Sequence, residues 1–192
     1  MIVTLSGITG TGKSFFKNVI SEKLNFKNLA ITTTRPKRRN EIDGIDKEFV
    51  TEKKFEELVK NKEILVDFEF LGAKYGYRRE KLESFENQVT EVHYNTIYEF
   101  KKYAQDVFSI YIIPKDIERA KRELHKRNLP LQVEQNRLYE IEEHIKEYKN
   151  NKNLQMQFDY VFINDYTDKS KYALLQIIER KTENKACKIL SI

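Results

Sequence analysis

The chain has one cysteine, three prolines and six glycines in 192 residues, and its apolar runs are no longer than strands. The single cysteine, Cys187, excludes an internal disulfide and a cysteine-based metal site, and near the C-terminus it reads as a bystander. Sparse proline and glycine beside 40% hydrophobic and 34% charged residues describe a helix-rich globular protein, neither disordered nor fibrous. Without the ~20 consecutive apolar residues of a membrane helix, no span is expected. The first residues run straight into a glycine-rich loop and leave no room for a secretory signal, so the expected location is the cytoplasm. No Ser-His-Asp set, metal-ligand cluster or paired-carboxylate signature stands out. The length suits one domain over residues 1–192.

The formal net charge is +5. Acidic residues are interleaved with the basic ones almost everywhere, as in EKKFEEL and IEEHIKEYKNNK, which marks solvated helix faces and not a nucleic-acid surface. The exception is RPKRRNE, residues 35–41, where five of seven residues are charged and only the last is acidic. It reads as an anion site or as a basic surface loop.

Residues 7–14, GITGTGKS, follow the apolar run MIVTLS and precede FFKNVISEKL, which has helical spacing. Strand, glycine-rich loop and helix in that order are the setting of the phosphate-binding pattern G-x-x-x-x-G-K-[ST], which is met in full. Gly7, Gly10 and Gly12 let the backbone curl, and with Thr9 and Thr11 they point N–H groups at phosphates. Lys13 is placed to bridge the outer phosphates of ATP and Ser14 to bind Mg²⁺. No guanine-reading NKxD follows, and no apolar strand ends in an aspartate for the metal; residues 89–93 read VTEVH.

Strand-like runs at 2–6, 29–34, 64–70, 89–93, 107–113 and 160–163 alternate with amphipathic segments after Gly12, Thr51, Arg79, Asn95, Pro114 and Tyr166. This is the pattern of an α/β fold with a mainly parallel central sheet flanked by helices. Thr51 is read as the N-cap of one helix and Pro114 as a proline near the start of another. Residues 35–77 read as a small antiparallel lobe inserted after the second core strand, ending in the turn LGAKYGY, and residues 127–137, RNLPLQVEQNR, as a polar connection between helices. In a phosphate-transfer protein these are candidates for a substrate lobe and a closing lid. His125 and His144 receive no role, the latter lying in IEEHIKEYK, a mostly solvated helix.

From TTTRPKRRNEIDGIDKEFV through LGAKYGY, LHKRN, NRL and FDYVFIND the chain resembles guanylate kinases over nearly its whole length. The resemblance implies a P-loop kinase fold with a core of residues 1–34, 78–126 and 151–192, a nucleoside-monophosphate-binding lobe at 35–77 and a helical lid at about 127–150. It implies transfer of the γ-phosphate of ATP, with Mg²⁺, to GMP or dGMP, with small nucleotides as partners, neither nucleic acid nor membrane, and a monomer or homodimer. Arg35, Arg38 and Tyr75 fall on positions that grip the acceptor phosphate, where guanidinium forks and a phenol donor suit phosphate oxygens. Arg127 and Arg137 fall on lid arginines that approach the transferred group, and Asn164 on a position near adenine.

The base-reading positions depart from the family. The guanine-binding glutamate falls on Val66, the guanine-contacting serine on Tyr77, the tyrosine beside the acceptor phosphate on Lys47, an aspartate near the acceptor on His93, and a serine on Ile31. Valine offers guanine no acceptor; Asp67 or Glu69 would serve only by turning inward through a bulge. Lys47 reads either as a phosphate contact or as a solvated strand end, and His93 as a structural or a functional histidine. The expected activity is therefore phosphorylation of GMP, dGMP or a related monophosphate. The alternatives are a kinase of another phosphorylated small molecule such as a ribose phosphate, and an inactive protein-binding module.

Overall fold

The computed structural model describes residues 1–39 and 41–190, with side chains as far as residue 183, so Cys187 lies outside the described side chains. The first apolar run forms β1 (Ile2–Ser6), buried at every residue, as a central parallel strand covered on both faces must be. The glycine loop leads into α1 (Lys13–Leu24) and then β2 (Lys27–Asn28). Next come β3 (Ile31–Thr33), β4 (Lys47–Phe49), α2 (Glu52–Lys60), β5 (Ile64–Phe70), β6 (Ala73–Arg78) and the short α3 (Arg79–Leu82). β7 (Gln88–Glu91) is followed by a 3-10 turn at Tyr94–Thr96, α4 (Ile97–Tyr103), β8 (Val107–Pro114) and α5 (Ile117–His125). The chain closes with α6 (Leu131–Asn150), α7 (Lys152–Gln155), β9 (Tyr160–Asn164) and α8 (Asp168–Leu190).

The central sheet runs β2-β7-β1-β8-β9, every pair parallel. A second sheet runs β4-β3-β6-β5, with β6 antiparallel to both neighbours. It is not wholly antiparallel, because β4 lies parallel to β3. The long basic loop between them returns the chain to the same end before β4 begins, where a tight hairpin would have reversed it.

Three sequence expectations need correction. The run 29–34 is not one strand: Leu29 N–H bonds to Val89 O at 3.0 Å beside the central sheet, whereas Thr32 and Thr33 pair with Gly76 and Tyr75 in the second sheet. Both halves are buried, so hydropathy is continuous across the change of sheet. Pro114 ends β8, and the helix after it starts three residues later at Ile117, capped by Asp116 accepting from Glu118 N–H at 2.9 Å. Residues 131–137 are not a connection but the start of α6, whose buried stripe is Ile141, His144 and Tyr148. One apolar-facing residue per turn among charged ones gives too weak a period to read. Thr51 caps α2 as expected, accepting from Lys54 N–H at 3.2 Å.

One apolar core joins the two sheets, bringing Ile31, Val66, Tyr75 and Tyr77 of the second against Tyr111 of the first and against Val92, Tyr94 and Phe100 of the segment that follows β7. Tyr77, fully buried, sets its ring edge-on to Phe100 with centroids 4.8 Å apart and donates its hydroxyl to Glu91 O at 2.7 Å. Val66 pairs with it across β5 and β6. The register does shift between Ile64 and Val66, yet Asp67 and Glu69 remain exposed. Tyr77→Phe keeps the ring and strips the Glu91 carbonyl of this donor, so urea unfolding is expected to lose about 1–2 kcal/mol. An unchanged midpoint and slope would show that the bond contributes nothing. Among the described residues no helix is long and apolar enough to cross a membrane.

Candidate active site

The loop between β1 and α1 is held in a shape that only glycine permits at two points. Gly7 (φ 137°) and Gly10 (φ 87°) would each bring a Cβ to 2.3 Å, from Ile112 O and Ala120 O respectively. The loop is braced from several sides. Thr11, fully buried, donates to Ile8 O at 3.0 Å; Asn164 Nδ2 donates to Thr11 O at 3.0 Å and Tyr166 OH to Gly10 O at 3.0 Å. Asn164 Oδ1 accepts from Tyr166 N–H at 2.8 Å. Its amide is thus engaged in holding the loop, although the residue lines the cavity. Gly12, as N-cap of α1, makes no side-chain cap, so the first-turn N–H groups stay directed at the cavity, the geometry that attracts phosphate.

Lys13 Nζ donates to Gly7 O and Ile8 O, each at 2.7 Å. Burial lowers its pKa, opposed by the carboxylates of Glu91 and Glu140. Ser14 Oγ donates to Glu91 Oε1 at 2.8 Å. Burial pushes the Glu91 carboxyl upward, but Lys47, Lys13, Lys17 and the Ser14 bond together hold it below its ordinary value. Glu91 ends β7 beside the loop, and sequence reasoning missed it by looking only for aspartate. One hydroxyl and one anionic carboxylate at a helix N-terminus fit Mg²⁺, which takes few protein ligands and keeps water and substrate phosphates for the rest. Among the described residues no cluster of three or more His, Cys, Asp or Glu competes for such an ion.

A cavity of about 1030 Å³ opens over this loop and reaches the second sheet. Its lining also takes in Arg35, Arg38, Lys47, Tyr75, Arg127 and Arg137, so these six expected residues do converge. Arg35 forms a fork with Glu41, NH1 to Oε2 at 2.9 Å and NH2 to Oε1 at 2.6 Å, and its guanidinium lies 5.3 Å from the centroid of Phe49. Glu41 also accepts from Arg38 N–H at 2.8 Å, fixing the basic loop. Burial lowers the Lys47 pKa, with Glu91 opposing; the side chain is a cavity wall and not a solvated strand end. Arg137 stands over Phe70 at 5.0 Å and 3.9 Å from Glu140, whose Oε2 accepts from Thr9 at 3.1 Å. The helix that carries Arg137 is thereby tied to the loop that carries Lys13.

Val66 and Tyr77 are not brought to the cavity; they form core between the sheets. His93 does line it, with Phe68, Phe70 and Tyr94 around its ring. His144, which the charged helix sequence had placed in solvent, is 2% exposed and stacks on Tyr94, and its Nε2 meets Tyr111 OH at 2.9 Å. No sequence signal marks it, because its neighbours in the chain are charged and its neighbours in space come from β8 and the 3-10 turn.

The arrangement matches known proteins along nearly its whole length. The family model described as guanylate kinase matches residues 1–181. A guanylate kinase of Rickettsia felis is 31% identical over 192 residues, covering 95% of each chain, and one of Lactococcus lactis is 28% identical over 93% of this chain and 87% of its own. The crystal structure of guanylate kinase from Anaplasma phagocytophilum superposes with a TM-score of 0.71 at 22% identity, over 94% of this chain and 85% of that one. A shikimate kinase from Bacteroides thetaiotaomicron, with a TM-score of 0.51 at 15% identity, shares the fold alone. On a family match that takes in both the phosphate loop and the second sheet, the chain belongs to the guanylate kinase family.

Proposed function

We propose that this protein is an ATP- and Mg²⁺-dependent nucleoside monophosphate kinase, moving the γ-phosphate of ATP onto the phosphate of a nucleoside monophosphate. The observation that carries the reading is one cavity lined both by Gly7, Thr9, Gly10, Gly12, Lys13 and Ser14 of the phosphate loop and by Arg35, Arg38, Lys47 and Tyr75. The loop N–H groups and Lys13 hold the donor's phosphates. Arg35, Arg38, Lys47 and Tyr75 hold the acceptor's phosphate and turn one of its oxygens toward the γ-phosphorus. That oxygen forms the new P–O bond as the bond to the β-phosphate oxygen breaks, leaving ADP.

Such transfers need little covalent chemistry from the protein; alignment and charge carry the rate. Arg127 and Arg137 offset the negative charge on the transferred group. Ser14 and Glu91 would hold Mg²⁺, which when bound neutralises charge on the donor phosphates. Helix α6, bearing Arg137 and tied to the loop through Glu140 and Thr9, serves as the lid. The complete Lys13-Ser14 signature, with Lys13 half-buried against two loop carbonyls, weighs against an inactive binding module. Coupled measurement of ADP formation with ATP, Mg²⁺ and each common ribo- and deoxyribonucleoside monophosphate is the test. Turnover with at least one, lost on adding a chelator, is expected; ADP formation at the same rate with and without acceptor would defeat the reading.

A further inference from the structure

Lys17 lies one turn beyond Lys13 on α1, and at 7% exposure it is the one lysine buried among the described residues. It lines the cavity, yet it belongs neither to the phosphate loop nor to the basic stretch at 35–41. An ammonium withdrawn from water is costly unless it is paired. Among the described residues Lys17 Nζ donates no hydrogen bond, and no carboxylate oxygen lies within 4.0 Å of it. Lys47, which opens β4, lines the same cavity, and its ammonium also lacks a hydrogen-bond or ion-pair partner there.

The carboxylate whose charge feels both lysines is Glu91, and it is already shared. Its Oε1 accepts from Ser14, and Lys13 acts on it together with Lys47 and Lys17. One carboxylate does not balance three ammonium groups. Burial lowers the Lys47 pKa, Glu91 opposes the fall, and Lys17 and Arg35 add to it, so the lysines meet as like charges. Gathered positive charge in a partly dry cleft attracts an anion. The arginine expected to grip the acceptor's phosphate is meanwhile engaged elsewhere, with both outer nitrogens on Glu41 at 2.9 and 2.6 Å. The two lysines are not.

We propose that Lys17 is a binding residue for the acceptor's phosphate, its ammonium from α1 and that of Lys47 from β4 holding one phosphate monoester dianion between them. A phosphate held in this way ties the helix that starts at the donor loop to the second sheet. The inference rests on the kinase reading for assigning this phosphate to the acceptor, and equilibrium binding separates the two.

The experiment is calorimetric titration of the full chain with GMP, guanosine, inorganic phosphate and ATP, on the parent, Lys17→Met and Lys17→Arg. Methionine keeps an unbranched, flexible side chain and removes the charge. Lys17→Met should bind GMP and inorganic phosphate about tenfold more weakly, the effect of one charge-assisted hydrogen bond, with guanosine and ATP within about twofold of the parent. Lys17→Arg restores the charge on a different geometry and should recover part of the loss. In turnover the loss should appear in the acceptor KM with kcat little changed. Because the ammonium has no partner in the fold, Lys17→Met should unfold on heating no earlier than the parent.

Unchanged affinity for GMP and phosphate in Lys17→Met overturns the assignment, as does an equal loss for guanosine, a loss shared by ATP, or no binding of GMP and phosphate to the parent. An earlier unfolding with equal losses for every ligand would make Lys17 a structural counter-charge to Glu91 and overturn it too. Lys17-dependent binding of GMP without ADP formation would leave the inference standing and remove the kinase reading. ADP formation with a parent-like acceptor KM in Lys17→Met would do the reverse.

Discussion

Lys13→Ala should lower kcat by about a thousandfold or more while the acceptor binds within a few fold of its normal affinity. The ammonium lies at the junction of the loop and the cavity, fixed on Gly7 O and Ile8 O at 2.7 Å. It is partly withdrawn from water, so in the proposed transfer its charge would act on a neighbouring phosphate through a lower dielectric and count for more there than in water. The proposed acceptor contacts come from other elements, the basic loop, β4 and β6, and do not depend on it. Single-turnover kinetics and acceptor titrations on the same variant separate the two effects. A kcat within tenfold of the parent would mean that this lysine is not used in transfer, and would favour a binding module.

Arg137→Ala is expected to reduce kcat by about a hundred- to a thousandfold with little change in acceptor KM. Arg137 reaches the cavity from α6, and its guanidinium is placed by the Phe70 ring at 5.0 Å and by Glu140. In the proposed reaction it offsets the charge that develops during transfer, so the loss belongs in kcat. Arg137→Lys restores a positive charge without the planar fork and should recover only part of the rate. An increase in acceptor KM with kcat unchanged would move Arg137 to ground-state binding of the acceptor. Steady-state kinetics on all three proteins distinguishes these outcomes.

The phosphate half of the site was legible in the sequence because its chemistry is local. Gly7 to Ser14 are contiguous, and the backbone shape that binds phosphate is dictated by glycines whose need is visible in the spacing. Arg35 and Arg38 stand in a basic stretch with no acidic residue before Glu41, and the cavity takes both. The parallel sheet followed from alternating apolar runs, and the change of sheet at 29–30 did not, because burial is equal on both sides of it. The base half was legible only as a departure. Val66 in place of a carboxylate says what is lost, but only the fold shows Tyr77 closing that space from the opposite strand and bonding to Glu91 O. His144 was illegible for a different reason: its helix is charged on three sides, and the tyrosines that bury it lie far away in sequence. Glu91 was hidden by a search for the shorter acid, although its strand and its position after VT were read correctly.

The claim at the centre of this account is that one cavity brings donor and acceptor phosphates together for direct transfer. The most direct test follows the label from ATP carrying ³²P in its γ-phosphate, in the presence of Mg²⁺ and the monophosphate that binds most tightly. Label recovered in the corresponding diphosphate, at a rate that falls with Lys13→Ala and Arg137→Ala, is the predicted result. Label recovered only as inorganic phosphate, or retained in ATP, would contradict it.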